Sequence, residues 1–168
     1  MARDVHAHSL LEEDAFVAVL RTAEQFQRQA AELFKAHELS PTQYNVLRIL
    51  RGAGAEGLTC RQVGERMLNH DPDITRLLGR LTSRDLVQQS RQKDDRRVVR
   101  TFITPAGLRL LQSLDQPVEE FQRRLLGHMG ERRLQSLIRL LALAGRGPGP
   151  ESQLPLIEKK AKKSRRVC

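Results

Sequence analysis

Two guanidinium groups and a hydroxyl share the outer face of a helix that is expected in the middle of the chain. Residues 71–84 place isoleucine and leucine at the spacing of one buried helix face, which leaves Thr75, Arg76 and Arg80 on the opposite side. Arginine binds guanine edges and phosphates, and a threonine hydroxyl contacts either bases or backbone. The pattern therefore predicts a helix that reads DNA.

Acidic residues stand at the start of this helix. We expect Asp71 to be its N-cap and Pro72 its first helical residue, with Asp73 adding negative charge to the first turn. Two interpretations of the carboxylates stay open: they are caps turned away from DNA, or they weaken its binding. We include Asp73 among the candidate DNA-binding residues of the helix.

A charged hairpin is expected directly after this helix. Residues 86–91 and 98–103 have the composition of two antiparallel strands, and the connection between them is too charged to be buried. Its candidate DNA contacts are Lys93, Asp95, Arg96 and Arg97. An arginine on a protruding hairpin suits the negative potential of the minor groove, and an adjacent carboxylate lowers the entropy cost of placing it. The alternative is a solvated hairpin tip without a function.

Three more helices are expected before the helix over residues 71–84. The first, residues 10–37, keeps its apolar spacing over ~40 Å at about 1.5 Å per residue. This length exceeds what a small core can cover, so we expect part of the helix to contact a second subunit. The next helix spans residues 40–52, and a short third one begins at Leu58-Thr59 and runs over 60–68 with Thr59 as its N-cap. The three short helices, over residues 40–52, 60–68 and 71–84, and the hairpin predict in this order a winged helix-turn-helix, with residues 71–84 as the recognition helix.

Long helices are expected to follow the hairpin as well, one starting at Thr104-Pro105 and a last one over residues 131–144. The fold class is therefore mainly α with a small β-hairpin wing, a winged helix-turn-helix with long N- and C-terminal dimerisation helices. The expected segments are a flexible N-terminus (1–9), an N-terminal dimerisation helix (10–38), a DNA-binding domain (39–104), C-terminal dimerisation helices (105–145) and a flexible basic tail (146–168).

Charge and hydropathy limit the class of protein. The 168 residues carry a formal charge of +9, but the tail alone holds seven Lys/Arg against two Asp/Glu, so overall charge is a weak argument for nucleic acid. Acidic residues interrupt the first apolar stretch, which argues against a signal peptide, and no stretch approaches the ~20 apolar residues of a membrane span. We expect a cytosolic protein.

Four motifs resemble those of the multiple-antibiotic-resistance regulator (MarR) family of bacterial transcription factors. They are LSPTQYNVLRIL, LTCRQVGERM, DITRLLGRLTSRDLV and DDRRVVRTFITPAG, and the similarity covers residues 10–145. The resemblance implies a homodimer that binds pseudo-palindromic double-stranded DNA, usually as a repressor released by a small phenolic or lipophilic ligand or by oxidation of a thiol. It also implies a cytoplasmic, nucleoid-associated protein; we expect no cofactor.

The resemblance assigns roles to individual residues. It implies base contacts for Thr75 and Arg76, and a phosphate or groove contact for Arg80. On the wing, it implies that the Asp95 carboxylate orients Arg97 in the minor groove.

The acidic residues Asp71 and Asp73 depart from the family pattern, and so do two other positions. Asp85 stands where the family usually has glycine after the recognition helix; aspartate tolerates a left-handed backbone, so we expect the turn to survive. Gln89 occupies a strand position that is often arginine, which removes one phosphate contact. These departures bear on the strength and sequence of the operator more than on the class of protein.

Aromatic and thiol groups are secondary candidates. Phe16, Phe34 and Tyr44 would line a ligand cleft, with core packing as the more frequent role of such side chains. Cys60, in the first turn of a helix, is a candidate redox thiol, with space filling as the alternative. The histidines lack metal-ligand spacing and no motif of an enzyme is present, so we expect neither a metal site nor catalysis.

Two other functions stay open. A non-specific architectural nucleic-acid binder would use the basic tail and show a steep salt dependence. A protein-interaction adaptor would keep the winged fold without reading DNA, which is what Asp71, Asp73 and Gln89 hint at. Selection of bound sequences from random DNA distinguishes these alternatives.

Overall fold

The computed structural model describes residues 10–68, 73–91 and 97–146. This part of the chain forms α1 (Leu11–Lys35), α2 (Pro41–Ala53), β1 (Leu58–Thr59), α3 (Cys60–Arg66), α4 (Ile74–Ser83), β2 (Val87–Arg91), β3 (Val99–Ile103), α5 (Pro105–Leu126) and α6 (Gly130–Gly145), with 3₁₀ turns at Gly54–Glu56 and Gly127–Met129. The expected fold class, a mainly helical winged helix-turn-helix with a small sheet, is confirmed. The chain forms two compact units, of which the first ends at Glu120 and the second begins at Phe121.

The strands form one antiparallel sheet in the order β1-β3-β2. β2 pairs with β3 over all five residues of each strand, which is the predicted hairpin. Thr59 is the N-cap of α3, as expected, and its hydroxyl accepts a hydrogen bond from Gln62 N at 3.2 Å. The prediction that Leu58 and Thr59 belong to the start of a helix is wrong in one respect, because both residues also form β1 against β3. A two-residue strand is too short to show a period in the sequence.

The core of the first unit lies where α2, α4 and α5 pack together with the sheet. Its fully buried leucines come from these three helices and are Leu47, Leu50, Leu78, Leu81, Leu111 and Leu114. Burying one such side chain contributes about 1.5–3 kcal/mol. α1 adds Phe34 near its C-terminal end, and most of its length is exposed.

The start of α2 carries the cap that its sequence predicts. The Ser40 hydroxyl accepts from Gln43 N at 3.1 Å, while the Gln43 side-chain oxygen accepts from Ser40 N at 2.9 Å. Pro41 occupies the first turn, where its missing N–H costs nothing. This reciprocal cap fixes where α2 begins after the turn that follows α1.

The second unit contains the end of α5 and the whole of α6. Large apolar side chains on α6 are exposed, namely Ile138, Leu140, Leu141 and Leu143. Within the three described ranges, no helix combines the length and the apolarity that a membrane crossing requires.

Candidate nucleic-acid interface

The interface is built around α4, and the first feature is how this helix begins. The Asp73 carboxylate accepts a hydrogen bond from Arg76 N at 3.1 Å and is the N-cap, so the helix starts at Ile74. The prediction that Asp71 caps the helix and Pro72 opens it is therefore wrong, and both residues lie outside the described ranges. Aspartate is a common N-cap residue, so the sequence allows either Asp71 or Asp73. Asp73 takes the role because its carboxylate reaches the backbone N–H of Arg76, which has no partner within the helix. Asp73 thus has a structural task at the helix end.

The two faces of α4 divide as the spacing predicts. Leu77, Leu78 and Leu81 are buried, whereas the residues on the opposite side are exposed: Thr75, Arg76, Gly79 and Arg80. Since the apolar face is covered by the same chain, the exposed face is held in one orientation. A rigid helix with two exposed guanidiniums and a hydroxyl has the groups that base edges and phosphates accept.

α3 crosses close to the N-terminal end of α4. A Cβ on Gly64 would lie 2.5 Å from the Ile74 Cδ1 atom, so glycine permits this close approach. In the same corner, the half-buried Cys60 has its Sγ 3.8 Å from the Thr75 hydroxyl. The structure thus brings the candidate thiol and a candidate base-contacting residue together, a pairing that the sequence spacing did not indicate.

The C-terminal end of α4 is tied to the turn after α1 by Arg84. Its guanidinium donates from Nη1 to the Glu38 carbonyl and from Nη2 to the His37 carbonyl at 3.1 Å. Glu38 has a φ of 53°, and Leu39 N donates back to Phe34 O at 3.1 Å, which is the hydrogen-bond pattern of a Schellman C-cap. Arg84 therefore fills carbonyl acceptors left at the end of α1 and positions α4 against it. Arg84 carries no local sequence signal for this role, because the contact joins distant parts of the chain.

The wing is anchored by the T-P-x-G motif at its exit. The Thr104 hydroxyl donates to the Asp85 carbonyl at 2.6 Å and accepts from Gly107 N at 3.1 Å. A Cβ on Gly107 would lie 2.3 Å from the Leu86 carbonyl oxygen, so only glycine fits this approach. Asp85 has a φ of 54°, which confirms that it adopts the left-handed turn usually given to glycine. The motif joins the end of α4, the hairpin base and the start of α5.

The structure describes two of the hairpin residues that the sequence singles out, Gln89 and Arg97. Gln89 lies opposite Thr101 in the ladder and is exposed, and Arg97 is exposed just before β3. The other predicted wing residues, Lys93, Asp95 and Arg96, lie outside the described ranges. The structure thus describes the base of the wing and its last arginine.

The aromatic candidates for a ligand cleft are only partly brought together. The rings of Phe34 and Tyr44 stack with centroids 4.3 Å apart, and both side chains are buried in the core. Phe16 is 64% exposed and lies 18 residues earlier on α1, about 27 Å away at 1.5 Å per residue. Two of the three residues therefore pack as core, and the third lies on an exposed helix face.

Charged groups surround the Tyr44 side of this aromatic pair. The Arg48 guanidinium lies 5.9 Å from the centroid of the Tyr44 ring, and Arg51 Nη1 contacts both Asp115 carboxylate oxygens at 3.0 and 2.9 Å. Burial raises the pKa of the Tyr44 phenol above its ordinary value, and the nearby guanidinium of Arg48 opposes this shift. Among the described residues, no group of three His, Cys, Asp or Glu is placed to hold a metal ion.

Comparison with known proteins gives one consistent result. A family model described as MarR family matches residues 37–98. A MarR transcription factor of known structure from Planctomyces limnophilus is 41% identical, covers 80% of this chain and 97% of its own, and superposes with a TM-score of 0.63. The structure of BpsR from Bordetella bronchiseptica, which concerns the regulation of its DNA binding by 6-hydroxynicotinic acid, is 20% identical over 79% of this chain and 98% of its own, with a TM-score of 0.70.

A curated relative extends the comparison. The HTH-type transcriptional regulator TtmR of Methylorubrum extorquens (strain PA1) is 35% identical over 98 residues, which are 58% of this chain. The matched region corresponds to 49% of TtmR, so the chain spans about half the length of this relative.

Proposed function

The chain belongs to the MarR family of transcriptional regulators, which are DNA-binding proteins rather than enzymes, and we propose that it represses transcription as a homodimer on a pseudo-palindromic operator. In this proposal the protein acts in the bacterial cytoplasm, at the nucleoid, and a small phenolic or lipophilic effector releases it from DNA. The observation that carries the proposal is the division of α4 into a buried leucine face and an exposed face with Thr75, Arg76 and Arg80.

Base reading falls to the first two turns of α4. Thr75 and Arg76 are the second and third residues of the helix that Asp73 caps, so they lie at its N-terminus, the part of a recognition helix that enters the major groove. Arg80 is one turn further on and suits a phosphate or groove contact. Asp73 uses its carboxylate in the cap, which supports the interpretation of the cap over that of a weakened interface.

Minor-groove contact falls to the wing. Arg97 is exposed at the entry to β3, and the strands below it are held to the end of α4 through Thr104 and Gly107. A hairpin anchored in this way places an arginine at a fixed distance from the recognition helix. In the proposal, Lys93, Asp95 and Arg96 complete the wing contact.

A second copy of the chain is the proposed partner of α1. Phe16, Val19 and Leu20 are exposed large apolar side chains on one side of the first half of this helix. One apolar side of a helix left without cover is the usual mark of a protein interface. The homodimer would bring two recognition helices to successive major grooves, about one helical turn apart.

Effector release is proposed to act near the Tyr44 ring. The Arg48 guanidinium lies 5.9 Å from the centroid of this ring and provides a cationic group for the acidic oxygen of an aromatic ligand, whereas Arg51 is paired with Asp115. BpsR, a structural relative, is a protein whose DNA binding is regulated by 6-hydroxynicotinic acid, a ligand of that chemistry. We assign Phe16 to the dimer contact, because it lies about 27 Å along α1 from the aromatic pair.

The test is selection of bound sequences from a random duplex pool, with the full chain and with its Arg76→Ala variant. We expect the full chain to recover a palindrome and the variant to recover a weaker motif with relaxed preference in each half-site. Enrichment without any motif, together with a steep salt dependence, would favour an architectural binder that uses the basic tail. No enrichment by the full chain would favour a protein-interaction adaptor.

A further inference from the structure

The positive charge of the chain is concentrated in the second compact unit. Residues 121–168 hold 12 Lys/Arg against three Asp/Glu, whereas residues 1–120 hold 17 of each, so the whole formal charge of +9 belongs to the second unit. Neither the recognition helix α4 nor the hairpin lies in that unit. The excess charge therefore lies outside the nucleic-acid interface described above.

Three of these cations follow one line along α6. Arg132, Arg139 and Arg146 are spaced seven residues apart, close to two helical turns, so they lie on the same side of the helix at intervals of about 10.5 Å. Arg146 directly follows the last residue of α6 and keeps helical backbone angles, with φ at −72° and ψ at −21°, so it continues the line. All three side chains are exposed. We call these three residues the arginine row.

Polar neighbours on α6 order the row. The Ser136 hydroxyl donates to Arg132 O at 3.1 Å and accepts from Arg139 Nη2 at 3.1 Å, which ties the second arginine to the turn of the first. The sequence has no acidic residue between positions 132 and 146. Glu131, just before the row, has its carboxylate engaged by Gln135 Nε2 at 2.9 Å.

The row differs in this respect from arginines of the first unit. On α1, Arg28 pairs with Glu24 at 3.1 Å, and on α3, Arg61 pairs with Glu65 at 2.8 Å. Within the described ranges, the arginine row makes no ion pair. Its guanidiniums therefore keep their charge for an anion from outside the chain.

The opposite side of α6 is apolar. Leu134, Leu137 and Leu141 lie on that side, about half a turn around the helix from the arginine row. It is the side that suits a subunit contact, which is the role expected from the sequence for the C-terminal helices. When a second copy covers the leucines, the row still faces solvent.

We propose that the arginine row is a second binding surface for duplex DNA, one that contacts the phosphate backbone without reading sequence. The row is about 21 Å long, which matches the rise of about six base pairs at 3.4 Å each. The chain belongs to a family of DNA-binding proteins, so duplex DNA is the polyanion at hand. A helix on a membrane surface would need its apolar side for the lipid, and in α6 that side is the one suited to the second copy.

This surface does not rest on operator recognition or repression. The recognition helix lies in the first unit and the arginine row in the second, so each can be changed while the other is kept. A duplex without an operator measures backbone binding directly, and the proposed operator preference is measured separately with Arg76→Ala.

The test is the binding of a random-sequence duplex to the full chain, followed by fluorescence anisotropy between about 50 and 200 mM KCl. The variant replaces the whole row: Arg132→Gln, Arg139→Gln and Arg146→Gln. We expect the slope of log K against log salt to become shallower by about one for each arginine replaced, with affinity at the lowest salt reduced about tenfold or more. Because glutamine is a good helix former, α6 should stay folded.

A charge-matched control separates the row from net charge. Arg21→Gln, Arg28→Gln and Arg109→Gln together remove the same three charges from exposed positions on α1 and α5. We expect this control to keep the slope of the unsubstituted chain. Sedimentation and thermal unfolding of both variants check that the oligomeric state and the fold are unchanged, and the basic tail is present in every protein compared.

Three results would overturn the proposal. An unchanged slope in the row variant would show that the row does not meet phosphates, and an equal loss in the control would show an effect of net charge alone. The third result is a row variant that keeps its DNA binding but no longer binds vesicles of phosphatidylcholine with phosphatidylglycerol, which would assign the row to an anionic lipid surface.

Discussion

Helices α1 and α4 both have amphipathic sequences, but they leave opposite faces exposed. α4 has ten residues and buries Leu77, Leu78 and Leu81 against its own chain, so that its polar face is left for a partner. α1 has 25 residues, buries Phe34 near its end and leaves an apolar face exposed along its first half. An uncovered polar face with arginines suits nucleic acid, whereas an uncovered apolar face suits another protein surface.

The difference between these helices also appears in how their ends are held. α4 is capped by Asp73 at one end and bonded through Arg84 at the other. The N-cap residue of α1, Leu10, has an apolar side chain and makes no capping hydrogen bond. We infer that α4 is positioned by contacts within the chain, while the first half of α1 would be positioned by the proposed second subunit.

The largest expected effect comes from removing a core leucine of α4. Leu78→Ala should lower the free energy of unfolding by about 2–5 kcal/mol, because the side chain is fully buried and the cavity refills only in part. Leu20→Ala on α1 is the matched control and, at a protein concentration where the monomer dominates, should change stability by less than about 1 kcal/mol. Denaturant unfolding measures both, and equal losses would contradict the contrast between the helices.

The next effect concerns association. Phe16→Ser should weaken the dimer by about 2 kcal/mol if this exposed ring is a central interface residue. Arg21→Ser, an exposed polar position on the same helix, should leave the dimer unchanged. Sedimentation equilibrium over a range of concentrations gives the two dissociation constants. A dimer that tolerates Phe16→Ser would place the subunit contact elsewhere.

A smaller effect is expected at the C-terminal end of α4. Arg84→Ala should cost about 1–3 kcal/mol of folding stability, because it leaves two carbonyls at the end of α1 without their charged donor. Arg28→Ala removes an exposed ion pair with Glu24 within α1 and should cost about 0.5 kcal/mol or less. Hydrogen exchange at residues 36–39 should speed up in the first variant and not in the second. Unchanged exchange in Arg84→Ala would show that the arginine does not hold this turn.

Features that depend on residues close together in the chain were predictable from the sequence. The two faces of α4, the hairpin of β2 and β3 and the cap at Ser40 all follow from local spacing or local chemistry, and the structure has them. The left-handed turn at Asp85 was predictable for the same reason, since the backbone tolerance of aspartate is a property of the residue itself.

Features that depend on distant contacts were not predictable. β1 consists of two residues and exists because β3 lies beside it. The stacking of Phe34 on Tyr44 and the bond from Arg84 to the turn at Glu38 join elements far apart in sequence, and no local pattern marks them. The start of α4 was misplaced because two aspartates compete for one cap, and only the backbone geometry decides between them.

The most direct test of the central claim is the affinity of the full chain and of Arg76→Ala for the selected operator and for a random duplex of the same length. Arg109→Ala, an exposed arginine on α5, serves as the control. We expect Arg76→Ala to lose about 1–3 kcal/mol of binding free energy on the operator and clearly less on the random duplex, while the control changes neither affinity. An equal loss on both duplexes would show that Arg76 contacts only the backbone, and that the exposed face of α4 does not read sequence through it.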